Sequence, residues 1–105
     1  MNVKTVSVTE LQALLEKKEK ISLVDCREEF EWSQGHLPNA QHIPLSEFTE
    51  SYQKIEDKKN PVIIYCRSGI RSYKIAAFLA EQGYQDVANL EGGFVAWANE
   101  HPEKK

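Results

Sequence analysis

Cysteine is scarce in this chain: Cys26 and Cys66 are the only two among 105 residues. Two cysteines exclude a disulfide scaffold and a four-cysteine zinc site. No stretch approaches the roughly 20 apolar residues of a membrane span. The start, Met1-Asn2-Val3-Lys4-Thr5, has no apolar signal core after its charge. A reducing cytoplasm is therefore the expected setting, and there a lone thiol stays free. Basic charge does not dominate either. Thirteen Lys and Arg stand against 16 Asp and Glu, for a net charge of −3. That balance disfavours nucleic acid and anionic membrane as partners. Internal repeats, low-complexity tracts and interior linkers are also lacking. The length fits one domain, expected over residues 1–100, which buries about 65% of its unfolded surface. His101-Pro102-Glu103-Lys104-Lys105 reads as a disordered tail.

Short apolar runs and helical patterns alternate along the chain. Val3 to Val8 alternates weakly and reads as a strand. Thr9-Glu10-Leu11-Gln12 has the form of a capping box, and Leu11, Leu14 and Leu15 follow at helical spacing. Ile21 to Asp25 suits a buried strand. Glu28 to Gln34 reads as a short helix closed by Gly35, and Gly35 to Pro44 as a shaped loop. Ser46 caps a further short helix through Tyr52 in this reading. Pro61 to Tyr65 is the clearest strand. Ser72 to Gln82 is the clearest helix, with Ile75, Phe78 and Leu79 on one face and Gly83 as its stop. Val87 to Leu90 reads as a last strand, Gly92-Gly93 as a tight turn, and the residues through Asn99 as a last helix. The alternation predicts an α/β fold with a mainly parallel central sheet flanked by helices on both faces. Ligands of such sheets sit at the carboxyl ends of the strands. Cys66 is the first residue after its strand.

Cys66-Arg67-Ser68-Gly69-Ile70-Arg71 joins that strand directly to a helix. A thiol here faces a helix N-terminus and loop N–H groups, both of which stabilise negative charge. Arg67, Arg71 and Lys74 give the segment from Cys66 to Ala80 a charge of +3, with no acid, leaving −6 for the rest. A free cysteine titrates near about 8.5. A fall of about two units, a stabilisation of roughly 2.7 kcal/mol, makes most of it thiolate at neutral pH. Ser68 and Gly69 suit a tight turn that curls the backbone round the sulfur. Bland roles suit the other polar residues. Asp25, Arg27 and Glu31 read as structural ion pairing between a strand end and the next helix. Cys26 reads as a small packed residue ahead of a redox partner, although it too ends a strand, which is where a neighbour of Cys66 would lie; Trp32 and Trp97 read as packing. His36 and His42 match no metal motif and read as loop-fixing groups.

The chain resembles a rhodanese domain over nearly its whole length. The matching segments are Leu23-Val24-Asp25-Cys26-Arg27, Glu31-Trp32, Gly35-His36-Leu37-Pro38-Asn39-Ala40, His42-Ile43-Pro44, Ile64 through Ser72, Ala76-Ala77, Gly83-Tyr84, Leu90-Glu91-Gly92-Gly93 and Ala96-Trp97. Asn39 stands where the family commonly has Gly, and Cys26 where a small aliphatic residue is usual. The resemblance implies a thiosulfate or persulfide sulfurtransferase. Cys66 would carry the sulfur as a persulfide, and Arg67, Ser68, Gly69, Ile70 and Arg71 would bind the donor. It implies no cofactor and no metal. The implied partners are a small donor such as thiosulfate and a thiol, cyanide or thioredoxin-like acceptor, including a protein sulfur acceptor. Four residues separate Cys66 from Arg71. Phosphatases of the same fold have five there, so the spacing favours sulfur over phosphoryl chemistry. A phosphatase or arsenate reductase, and a non-catalytic interaction module, remain the alternative readings at this point.

Overall fold

A computed structural model describes residues 3–101. Five strands form one sheet: β1 Val3–Val6, β2 Ser22–Asp25, β3 Gln41–His42, β4 Val62–Tyr65 and β5 Val87–Leu90. Five α-helices accompany them: α1 Val8–Glu16, α2 Glu29–Trp32, α3 Phe48–Ser51, α4 Ile70–Glu81 and α5 Gly93–Glu100. The strand order is β1-β5-β4-β2-β3, and every neighbouring pair is parallel. β4 is thus the middle strand, and Cys66 leaves the sheet at its centre.

The two-residue period of a strand divides the core in two. Val62 and Ile64 of β4, with Val24 of β2, point to one face, where they meet Phe48 of α3 and Ile75, Ala76 and Leu79 of α4. Ile63 and Tyr65, with Leu23, point to the other, where they meet Val8 and Leu11 of α1 and Trp97 of α5. Both faces are covered, which is why β4 reads as an unbroken apolar run. Burying a side chain such as Ile64 contributes about 1.5–3 kcal/mol.

Several boundaries differ from the sequence reading, each for a local reason. β1 stops at Val6 because Ser7 caps α1. The capping box is Ser7 with Glu10, not Thr9 with Gln12. Glu10 N–H donates to Ser7 Oγ at 3.1 Å, and Ser7 N–H to Glu10 Oε1 at 2.8 Å. This start puts Val8 and Leu11 three apart on the buried face. Gly35 to Pro44 contains β3, which pairs Gln41 with Val24 and His42 with Asp25. Two residues show no periodicity, so only the pairing reveals this strand. Ser46 is not a helix cap. It lies inside a 3-10 turn, Leu45–Glu47, and its hydroxyl donates to Glu28 Oε1 at 3.1 Å. α4 starts at Ile70 rather than Ser72, because Gly69 makes the turn from the loop. Of the expected tail, His101 continues the end of α5. Its N–H donates to Trp97 O at 2.9 Å and its ring stacks on Trp97 at 4.0 Å. The remainder, 102–105, lies outside the described residues. Among the described residues, no helix is long and apolar enough to cross a membrane.

Candidate functional site

Cys66 follows β4 directly, and the chain turns back over its sulfur. The turn needs Gly69, whose φ is +101°, a conformation that L side chains rarely adopt. Its geometry aims backbone donors inward. Gly69 N–H donates to Cys66 Sγ at 3.2 Å and Ser72 N–H at 3.3 Å. The Ser72 hydroxyl lies 3.3 Å from the same sulfur. Ser72 sits in the first turn of α4, so its amide is one that the helix itself leaves without an acceptor. Among the described residues the N–H groups of Ile70 and Arg71 also have no protein acceptor.

These contacts hold Cys66 as a thiolate. The neighbouring Cys26 thiol favours the Cys66 thiolate most. Burial opposes ionisation; the Ser72 hydroxyl, the Ser72 amide and the Gly69 amide then favour it. The Cys66 thiol comes down to about 4. The companion thiol moves the other way. Hydrogen bonding to Cys66, then burial, pushes Cys26 up, so Cys26 keeps its proton. The direction matches the sequence expectation, but the main cause does not. Hydrogen bonding at the sulfur carries the shift, led by a cysteine that the sequence reading gave to packing ahead of a redox role.

The arginines divide. Arg71 turns to Glu31 of α2, with NH2 3.2 Å from Oε2 and NH1 3.3 Å from Oε1. Burial raises the Glu31 carboxyl, but the Arg71 guanidinium and the Glu28 backbone pull it below its ordinary value. Glu31 therefore pairs with the loop rather than joining Asp25 and Arg27 in the structural ion pairing expected of the three. Arg27 pairs with Asp25 alone, at 2.9 Å, and both side chains are buried. The same guanidinium donates to Gly35 O at 2.6 Å and lies 4.2 Å above the Phe94 ring. That clamp joins the end of β2 to the Gly35 segment. Arg67 is exposed, as are Ser68 and Ile70, and among the described residues Arg67 makes no ion pair. It lines an open groove of about 750 Å³ together with Phe30, Gln34, Phe94, Val95 and Asn99.

Two supports were not singled out from sequence. Asn89 of β5 donates from Nδ2 to Gly69 O at 3.0 Å and accepts from the Ser72 hydroxyl at 2.5 Å. It thereby fixes both ends of the turn over Cys66. Its signal was a polar residue inside the apolar run Val87-Ala88-Asn89-Leu90. Gly93 is the second support. It opens α5, whose Phe94 N–H donates to Cys66 O at 2.8 Å and Val95 N–H to Arg67 O at 3.0 Å. A Cβ on Gly93 would lie 2.5 Å from Cys66 O, so only glycine lets this helix rest on the loop. Gly92-Gly93 is thus part of the site's scaffold as well as a turn.

The histidines fix loops. Trp32 stacks on both, its ring centroid 3.5 Å from that of His36 and 4.7 Å from that of His42, with the ring planes nearly parallel. His42 Nε2 donates to Arg27 O at 2.8 Å. Among the described residues, no three His, Cys, Asp or Glu side chains gather as a metal site.

Such an arrangement, a thiol held toward its thiolate form under a short loop at the centre of a parallel sheet, is chemically suited to a nucleophile. The comparisons agree on the class. The rhodanese-like domain model matches residues 7–100, and the chain belongs to that family. It is 38% identical over 99% of both chains to the putative sulfurtransferase YtwF of Bacillus subtilis. It is 36% identical to the thiosulfate sulfurtransferase GlpE of Coxiella burnetii, covering 97% of this chain and 94% of the relative. A crystal structure of a rhodanese-like domain protein from Staphylococcus aureus superposes with a TM-score of 0.85 at 32% identity, covering 98% of this chain and 99% of that one.

Proposed function

We propose that this chain is a sulfurtransferase that carries sulfane sulfur on Cys66, with thiosulfate as a competent donor. One observation carries the reading: the Cys66 sulfur accepts two backbone N–H groups and faces a hydroxyl, contacts that favour its thiolate form. Its likeness to relatives named sulfurtransferases supports the same chemistry.

In the first half-reaction the Cys66 thiolate attacks the outer sulfur of thiosulfate. The new S–S bond forms as the sulfur–sulfur bond of the donor breaks. Sulfite leaves with the electron pair. No proton moves, so no general base is needed. Arg67 attracts the dianion, and the Ile70 and Arg71 amides serve the developing charge on the transferred sulfur. In the second half-reaction an acceptor, whether cyanide, a thiol or a thiol-bearing protein, takes the outer sulfur. The Cys66 thiolate is then the leaving group, and its low pKa makes it a good one. The groove that Phe30 and Val95 line gives a larger acceptor a place to lie beside the loop. Two free cysteines suit a reducing cytoplasm.

Incubation with thiosulfate followed by intact-mass measurement tests the reading. An adduct heavier by one sulfur atom, lost on adding cyanide, is the expected result. Cys66→Ser should form none while keeping the native circular dichroism spectrum. Efficient hydrolysis of an aryl phosphate, with no sulfur adduct, would replace sulfur transfer by phosphatase chemistry.

A further inference from the structure

Cys26 is buried and nucleophilic in kind, and it forms and breaks no bond in the reaction above. β2 and β4 pair in register, Val24 with Ile64 and Asp25 with Tyr65. Cys26 N–H then donates to Tyr65 O at 3.0 Å, which extends the register by one step and sets Cys26 opposite Cys66. Neighbouring strands lie about 4.8 Å apart. A disulfide spans Cα atoms roughly 4.4–6.8 Å apart. Residues opposite each other present their side chains to one face, and both cysteines belong to the same core cluster, with Val24 and Ile64. The thiols are close enough to shift each other's ionisation in opposite directions. Cys26 is 0% exposed, so no external thiol reaches it directly. Cys66 lies beneath one layer of loop, formed by the exposed Arg67, Ser68 and Ile70.

We propose that Cys26 is a resolving thiol for Cys66, so that peroxide oxidation of Cys66 ends in a reversible internal disulfide. The oxidant is hydrogen peroxide or a small hydroperoxide. The Cys66 thiolate attacks one peroxide oxygen, the O–O bond breaks, and hydroxide leaves. Cys66 becomes a sulfenic acid, two electrons more oxidised. The Cys26 sulfur then attacks the Cys66 sulfur. Its proton joins the departing hydroxyl as water, and the S–S bond forms. A dithiol reverses the change: it supplies two electrons and two protons and is itself oxidised to a disulfide. The adjacent thiol competes with a second peroxide because it is already in place, whereas further oxidation to sulfinic acid needs another encounter. A nucleophile this acidic is prone to oxidation, and the sheet register puts the rescue group beside it.

The test uses the full chain and does not depend on sulfur transfer. Treat it with hydrogen peroxide, digest without reductant, and identify the peptides by mass. The expected wild-type product is an intrachain Cys26–Cys66 cross-link, with the chain lighter by two hydrogens. Dithiothreitol should restore alkylation of Cys66 by iodoacetamide. Cys26→Ala should instead accumulate Cys66 sulfinic acid, which dithiothreitol does not reverse. Cys26→Ser, nearly the same size, serves if the alanine variant does not fold. Three results would overturn the proposal: wild type reaching sulfinic acid as fast as the variant, a cross-link between two chains only, or no oxidation of a Cys66 that still alkylates. Loss of sulfur transfer with an intact cross-link would count against the proposed reaction alone.

Discussion

Replacing Ser72 with alanine removes a hydroxyl 3.3 Å from the Cys66 sulfur and keeps the backbone N–H, also at 3.3 Å. A hydrogen bond to a charged group contributes roughly 1.5–3 kcal/mol. At about 1.36 kcal/mol per pKa unit, that is one to two units. The lower figure is expected here, because the hydroxyl has one proton and two acceptors. Asn89 Oδ1 lies 2.5 Å away and competes with the thiolate for it. When Cys66 is a thiol, its S–H can donate to Ser72 Oγ while the hydroxyl serves Asn89. When Cys66 ionises, the Ser72 proton must swing to sulfur at the expense of Asn89. The Cys66 midpoint should therefore rise from about 4 to about 5. The depressed pKa means that reactive thiolate is present above the midpoint and is lost as pH falls through it. Alkylation by iodoacetamide, followed by mass against pH, should show an acid limb displaced upward in Ser72→Ala. The two curves should converge near neutral pH, where both proteins are ionised. An unmoved midpoint would mean that the hydroxyl serves Asn89 in both states. A midpoint near that of free cysteine would mean that Ser72 holds the whole loop. Either result refutes the hydrogen-bond argument.

The scaffold around the thiolate supplies two further tests. Gly93→Ala must place a Cβ 2.5 Å from Cys66 O at a φ of +58°, so urea unfolding should show a loss of at least about 1–3 kcal/mol, with sulfur transfer falling as the loop shifts. Wild-type stability in that variant would show that α5 does not rest on the loop. Arg27→Ala leaves the Asp25 carboxylate buried without its partner, so stability should fall by about 3–5 kcal/mol, whereas Asp25 and Arg27 replaced together by apolar residues should recover much of it. Additive losses in the double variant would refute the pairing.

Much of the fold was legible along the chain because local physics decides it. Ile21 to Asp25, Pro61 to Tyr65 and Val87 to Leu90 are short apolar runs bounded by turn residues, and each contains the observed strand. Ile75 and Leu79 follow the helical repeat and are buried on α4. Cys66 was legible for the same reason: its strand, loop and helix are contiguous, so a thiol at a helix N-terminus can be read from neighbours in sequence. Capping at α1 was misread: the sequence reading took Thr9 with Gln12, whereas the structure uses Ser7 with Glu10, which has the same form two residues earlier. Burial of Val8 with Leu11 chose between them.

Tertiary structure alone decided what surrounds the sulfur. Asn89 is twenty-three residues from Cys66 and Cys26 forty, and their contacts depend on how β2, β4 and β5 line up. Arg71 looked like a charge aimed at the thiolate, but α2 brought Glu31 to it, and a paired guanidinium attracts the thiolate less. Cys26 looked like packing because a buried cysteine usually is. The parallel register of β2 with β4 set it opposite Cys66 instead. A sequence carries the propensity of each segment. The register between segments comes from burying both faces of the sheet at once, and that choice involves every strand and helix together.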